Sequence, residues 1–151
     1  MYRKILLAYD GSVEGRRALD EGAMLARLCK AEVMLLAVVD LSAGIVMAEG
    51  AAPGAAEHQE EAYARILADG AEHLKAFGFP VETRLEFGNP ARQIALTARQ
   101  WEADLVVAGH RHQGALARWW SGSVGSSLLD DLSCSLLVAQ NGGQDDGPSG
   151  G

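Results

Sequence analysis

Leu105-Val-Val-Ala-Gly109-His-Arg-His-Gln-Gly114-Ala-Leu-Ala-Arg118-Trp-Trp-Ser-Gly122-Ser123 decides how this chain folds. Leu105 to Gly109 reads as a buried strand, because a short apolar run has no polar face to leave in water. Ser123 to Leu132 reads as a helix, with Ser123 as its N-cap. A glycine-bearing strand-to-helix connection offers unpaired backbone N–H groups and the positive end of a helix dipole. That combination suits an anion, most often a phosphate. His110, Arg111, His112 and Arg118 bring basic groups to the same connection.

Working outward, the same alternation repeats. Ile5-Leu-Leu-Ala-Tyr9, bounded by Asp10-Gly-Ser12, predicts a strand buried on both faces. Ser12 caps a helix whose apolar face is Ala18, Gly22, Leu25 and Cys29. Val33 to Val39 is a second buried run, ending at Asp40. Leu41 to Ala56, rich in Gly and Ala, predicts a long connecting loop. Tyr63, Leu67, Gly70, Leu74 and Phe77 mark a second helix, which Gly78 and Pro80 end. Val81 to Phe87 alternates as a strand near a sheet edge does. Pro90 opens a third helix with Ala91, Ile94, Ala98 and Trp101 on its inner face. Cys134 to Ala139 is the fifth strand. Asn141 to Gly151, rich in Gly and Asp, predicts a disordered tail behind a single domain of residues 1–140. The order βαβαβαβαβ calls for a parallel sheet with helices on both faces. Ligands of such sheets bind at the carboxyl ends of the strands, here Tyr9-Asp10, Val39-Asp40, Phe87-Gly88 and Ala108-Gly109. The phosphate-suited connection lies on that edge.

Composition narrows the function. The 151 residues are 48% apolar, enough for a real core, and 13 basic against 20 acidic residues give a net charge of −7. An acidic chain with no broad basic face is a poor nucleic-acid binder, so no nucleic acid is expected. The two cysteines, Cys29 and Cys134, show no metal-ligand spacing and read as buried reduced thiols. The opening apolar run is too short for a signal peptide or a membrane span, which predicts a cytoplasmic protein with no membrane partner.

The chain from about Tyr2 to Ala139 resembles the universal stress proteins. The resemblance is carried by Lys4-Ile-Leu-Leu-Ala-Tyr-Asp-Gly-Ser12, Leu35-Leu-Ala-Val-Val-Asp40 and Gly88-Asn-Pro90. Ala103-Asp-Leu-Val-Val-Ala-Gly109, Gly122-Ser-Val124 and Cys134-Ser-Leu-Leu-Val138 complete it. It implies an adenine-nucleotide alpha-hydrolase-like fold, with a five-stranded parallel sheet in the order 3-2-1-4-5. It also implies a homodimer paired through strand 134–139, and a role in stress response or signalling. Many members bind ATP through Gly, two residues, Gly, nine residues, Gly, then Ser or Thr. On this chain the pattern falls on Gly109, His112 and Gly122-Ser123, with His112 in place of the middle glycine. The resemblance sets base and ribose against Ala8, Tyr9, Asp10, Val38, Val39 and Gly109, and phosphates against Gly122, Ser123 and Val124. Mg or Mn enters only together with the nucleotide.

Each of these residues also has a plainer reading. Gly109 either admits a ligand or lets the chain turn. Asp10 either faces the base, ribose or a shared metal, or caps the first helix. His112 either donates to a phosphate or sits in a solvated loop without a ligand; a middle position needing positive φ costs a histidine about 1–2 kcal/mol. Trp119 and Trp120 either pack on the sheet or a partner, or stack on a base. A dimeric adaptor that holds no nucleotide is therefore the alternative function. No nucleophile–base pair and no GxxxxGK[ST] loop are present, so no enzyme activity is expected.

Overall fold

Apolar runs alternating with amphipathic helices build an α/β domain in the computed structural model, which describes residues 1–40, 55–78, 80–109, 128 and 130–139. The elements are β1 (Lys4–Ala8), α1 (Val13–Cys29), β2 (Glu32–Asp40), α2 (Ala55–Lys75), β3 (Val81–Gly88), α3 (Pro90–Trp101), β4 (Leu105–Gly109) and β5 (Ser135–Ala139). The sheet is parallel throughout and ordered β3-β2-β1-β4-β5, as the resemblance implies. β1 is central, with Ile5 opposite Val33 on one side and Leu105 on the other. Leu128, Asp130 and Asp131, within the expected fourth helix, are helical. The tail 141–151 and most of the loop, 41–54, lie outside the described residues.

Strand alternation divides the interior into two cores. Ile5, Leu7, Tyr9, Val33, Leu35, Leu105 and Val107 pack under α1 and α2. Leu6, Ala8, Met34, Leu36, Val38, Val106 and Ala108 pack under α3 and Leu128. Strands covered on both faces need apolar residues at every position, which is why these runs are continuous.

Three expectations need correction. The buried face of α1 is Gly15, Ala18, Leu19, Gly22, Ala23 and Ala26, with Leu25 and Cys29 only half-buried at its margin. Small residues set that face because the helix lies close to the sheet: a Cβ on Gly22 would come 2.3 Å from Leu7 Cδ2. Helix α2 begins at Ala55, inside the expected loop. Both free cysteines are half-buried rather than buried. Burial and the nearby Asp104 push the Cys134 thiol up, which keeps it protonated and weakly nucleophilic.

The amino edge of the sheet is stitched by Asp104. Its Oδ2 accepts from the backbone N–H of Arg3 and, at 2.9 Å, from that of Lys4. Lys4 Nζ then donates to the Trp101 carbonyl at 3.2 Å and lies 5.2 Å from the centre of the Trp101 ring. The two backbone donors, first Arg3 and then Lys4, hold the Asp104 carboxyl below its ordinary value. A lowered folded value means the stabilisation is present above the ordinary carboxylate range and is lost as pH falls through the folded value. We expect Asp104→Ala to lower unfolding stability by about 1 kcal/mol at pH 7, a modest figure because the site is open to solvent. Urea denaturation of both proteins checks this. The gap should shrink when the comparison is repeated below pH 3, and a gap that stays constant with pH would rule out the carboxylate as its source.

Candidate functional site

The strands end at different heights. Ala8 of β1 pairs with Leu36 of β2 and Ala108 of β4. Beyond that level β4 continues for one residue, Gly109, whereas β2 continues through Val38 and Val39 to Asp40. At a strand rise near 3.3 Å, β2 overhangs the end of β1 by about 13 Å. A notch results at the end of β1, with β2 as one wall and the end of β4 opposite. It lies where the sheet reverses its winding, between β1 and β4.

The chain leaves β1 through a tightly bonded turn. Tyr9 N–H donates to the Leu36 carbonyl at 2.9 Å. Gly11 has φ +85°, a backbone angle that favours glycine. Asp10 Oδ1 accepts from the Ser12 N–H at 3.0 Å and from Ser12 Oγ at 2.6 Å. Ser12 Oγ in turn accepts from the Gly15 N–H at 2.9 Å, capping α1. Asp10 therefore braces the turn and the Ser12 cap, at the mouth of the notch.

Gly109 meets the helix that follows this turn. A Cβ there would lie 2.5 Å from the Glu14 carbonyl oxygen and 2.8 Å from Gly15 N. A Cβ on Gly15 would in turn lie 3.0 Å from Asp10 Oδ1 and 3.0 Å from the Tyr9 ring. The close approach at Gly109 is thus to the first turn of α1. The sequence reading missed Gly15 and the Ser12–Asp10 bond; the Asp-x-Ser-x-x-Gly spacing from 10 to 15 is the signal that carries both.

The other expected residues fall as follows. Ala8 and Val38 belong to the α3-side core, and Tyr9 to the α1-side core, where its ring also meets Gly70. All three are buried, with Val38 the most open at 9%. Val39 and Asp40 are buried on the β2 overhang. What the notch offers from these strands is chiefly main chain. His112, Gly122, Ser123 and Val124 lie outside the described residues, as do Arg118, Trp119 and Trp120. Among the described residues no three His, Cys, Asp or Glu side chains gather as metal ligands, and no helix is long and apolar enough to cross a membrane. An open groove of about 650 Å³ starts at the turn after β1, at Tyr9, Gly11 and Ser12, and runs along α1 and α2 past Arg16, Asp20, Ile66 and Asp69.

The model of the universal stress protein family matches residues 1–140. A universal stress protein of Synechocystis sp. is 30% identical over 152 residues, spanning 93% of this chain and 99% of its own length. A universal stress protein crystallised with cAMP superposes with a TM-score of 0.67 at 22% identity, covering 92% of this chain and 97% of its own. One from Archaeoglobus fulgidus, in complex with dAMP, gives 0.67 at 19% identity over 91% of this chain and 98% of its own. The fold they share is the adenine-nucleotide alpha-hydrolase-like one.

Gly109→Ala tests the crossing at the notch. The new methyl cannot be placed without moving the backbone of α1, so we expect a loss of about 1–3 kcal/mol in chemical denaturation. A change within experimental error would mean that the first turn of α1 is free to retreat.

Proposed function

The chain belongs to the universal stress protein family, and we propose that it is a binding module for ATP or a related adenine nucleotide, held at the carboxyl edge of the sheet. One observation carries this reading: the ends of β1, β2 and β4 form a notch at the point where the winding reverses. The β2 overhang at Val38 and Val39 supplies main-chain groups suited to the edge of a base. Ala8, Tyr9 and Asp10 lie beneath it, and Gly109 closes the far side. Phosphates then fall to Gly122, Ser123 and Val124, the positions to which the family pattern assigns them. Mg or Mn would accompany the phosphates. The relatives solved with cAMP and dAMP support an adenine ligand for this fold.

In this reading the protein is cytoplasmic and dimeric and is not an enzyme; nucleotide occupancy is its signal in stress. The partner copy pairs at β5, which has no neighbour on its outer side among the described strands and carries half-buried Leu136, Leu137 and Val138. A second reading, an adaptor without nucleotide, is favoured by His112 in the middle glycine position.

Denaturing the purified protein and chromatographing the released small molecules checks the first reading. An adenine nucleotide near one per chain, or titration of added ATP with saturable heat, is expected. Neither result would leave the adaptor standing. His112→Gly is expected to tighten ATP binding at least tenfold if the histidine obstructs the site, and to weaken it if the ring donates to a phosphate. Incubation with ATP and magnesium should release phosphate no faster than the buffer blank.

A further inference from the structure

We propose that the outer face of α1 is a self-association surface on which a second copy of this chain docks, helix against helix and antiparallel. Val13, Met24 and Leu28 are 75%, 58% and 77% exposed, although each is apolar. At 100° per residue they share one outward stripe with Arg17 and Asp20, about 80° wide. Lone exposed apolar residues mean little, but a stripe along one helix is the pattern of a helix-packing seam.

Charge order selects the occupant. Residues 13 to 24 read Val-Glu-Gly-Arg-Arg-Ala-Leu-Asp-Glu-Gly-Ala-Met. Turned end for end about an axis between residues 18 and 19, this segment complements itself. Val13 comes abreast of the partner's Met24. Arg16 and Asp20 lie on one flank of the stripe and Arg17 and Glu21 on the other, so each arginine comes within one residue's rise of the partner's acid on the same flank, Arg16 of Asp20 and Arg17 of Glu21, and each contact occurs twice. A parallel arrangement would instead set arginine on arginine. Arg16, Arg17 and Glu21 hold no ion pair among the described residues. Asp20 is tied to His73 of α2 at 2.6 Å and is still half exposed, so it is held in place and open to a partner. A single helix pair buries less than a standard interface, so the association is weak and salt-sensitive. It is separate from pairing at β5 and does not depend on nucleotide.

Sedimentation velocity at rising protein concentration tests it. The wild-type mass should at least double between about 10 and 500 µM in low salt, more where chains paired at β5 present two such faces, and the rise should fade in high salt. Met24→Glu should weaken the step at least tenfold. Arg17→Glu and Glu21→Arg should each abolish it alone. Mixed in equal amounts they should restore it, because a chain carrying glutamate at 17 and 21 then faces one carrying arginine at both. Both variants must fold for the mixture to respond, so recovery cannot be a folding effect. A wild-type mass flat with concentration, a step indifferent to these substitutions, or a mixture that fails to recover would each overturn the proposal. Any pairing at β5 would set the same starting mass for every variant, so the two interfaces are read separately.

Discussion

Backbone lies directly on backbone where the first turn of α1 crosses the end of β4. Gly109 and Gly15 make this contact: a methyl group on Gly109 would lie 2.5 Å from the Glu14 carbonyl oxygen, and one on Gly15 would press at 3.0 Å on Asp10 and Tyr9. The height of α1 over the sheet follows from it, and so does the need for small residues at Ala18, Gly22, Ala23 and Ala26 along the inner face. Side chains of ordinary size would lift the helix and open the interior; close packing tolerates such gaps poorly. The turn at Asp10 and Ser12 is held by the same crossing, because Gly15 touches both. The shape of the notch therefore depends on two residues that contribute no side chain.

This explains how much of the chain was legible. The continuous runs at 5–9, 33–39 and 105–109 could be read as central strands because burial on both faces leaves a plain compositional trace. Val81 to Gly88, with its exposed Glu82, Thr83 and Phe87, could be read as an edge for the converse reason. On α1 the apolar spacing marks Ala18 and Gly22 of the buried face, but continues it to Leu25 and Cys29 where the sheet is met by Leu19, Ala23 and Ala26. Leu25 and Cys29 lie half-buried at the margin. Strand order came from the resemblance, since apolar pattern alone does not say which strands are neighbours.

The carboxyl edge of the sheet was legible in the sequence, but what its residues touch was not. Strand alternation located the carboxyl edge, and glycine at 109 marked a close approach. A sequence does not say what approaches, and at Gly109 the neighbour is the protein's own helix. Asp10 is similar: a carboxylate two residues before a serine suits a ligand or a cap equally, and Ser12 takes its Oδ1. Recognition by strand ends is a main-chain matter, so residue identity records it only through what must be absent. The nearly charge-free walls at Ala8, Val38 and Val39 fit that logic.

The central position of β1 has a cost during synthesis. Its partner β4 begins about 100 residues later, as the bonds from Asp104 to Arg3 and Lys4 illustrate. At a translation rate of 5–20 residues per second, one edge of β1 waits roughly 5–20 s for its neighbour. During that interval Ile5, Leu6, Leu7 and Ala8 present an unpaired apolar strand, the kind of template on which nascent chains stick to one another. The final product has no such exposure at β1. The topology thus leaves one edge of this five-residue strand to be covered late, once the last third of the chain has emerged.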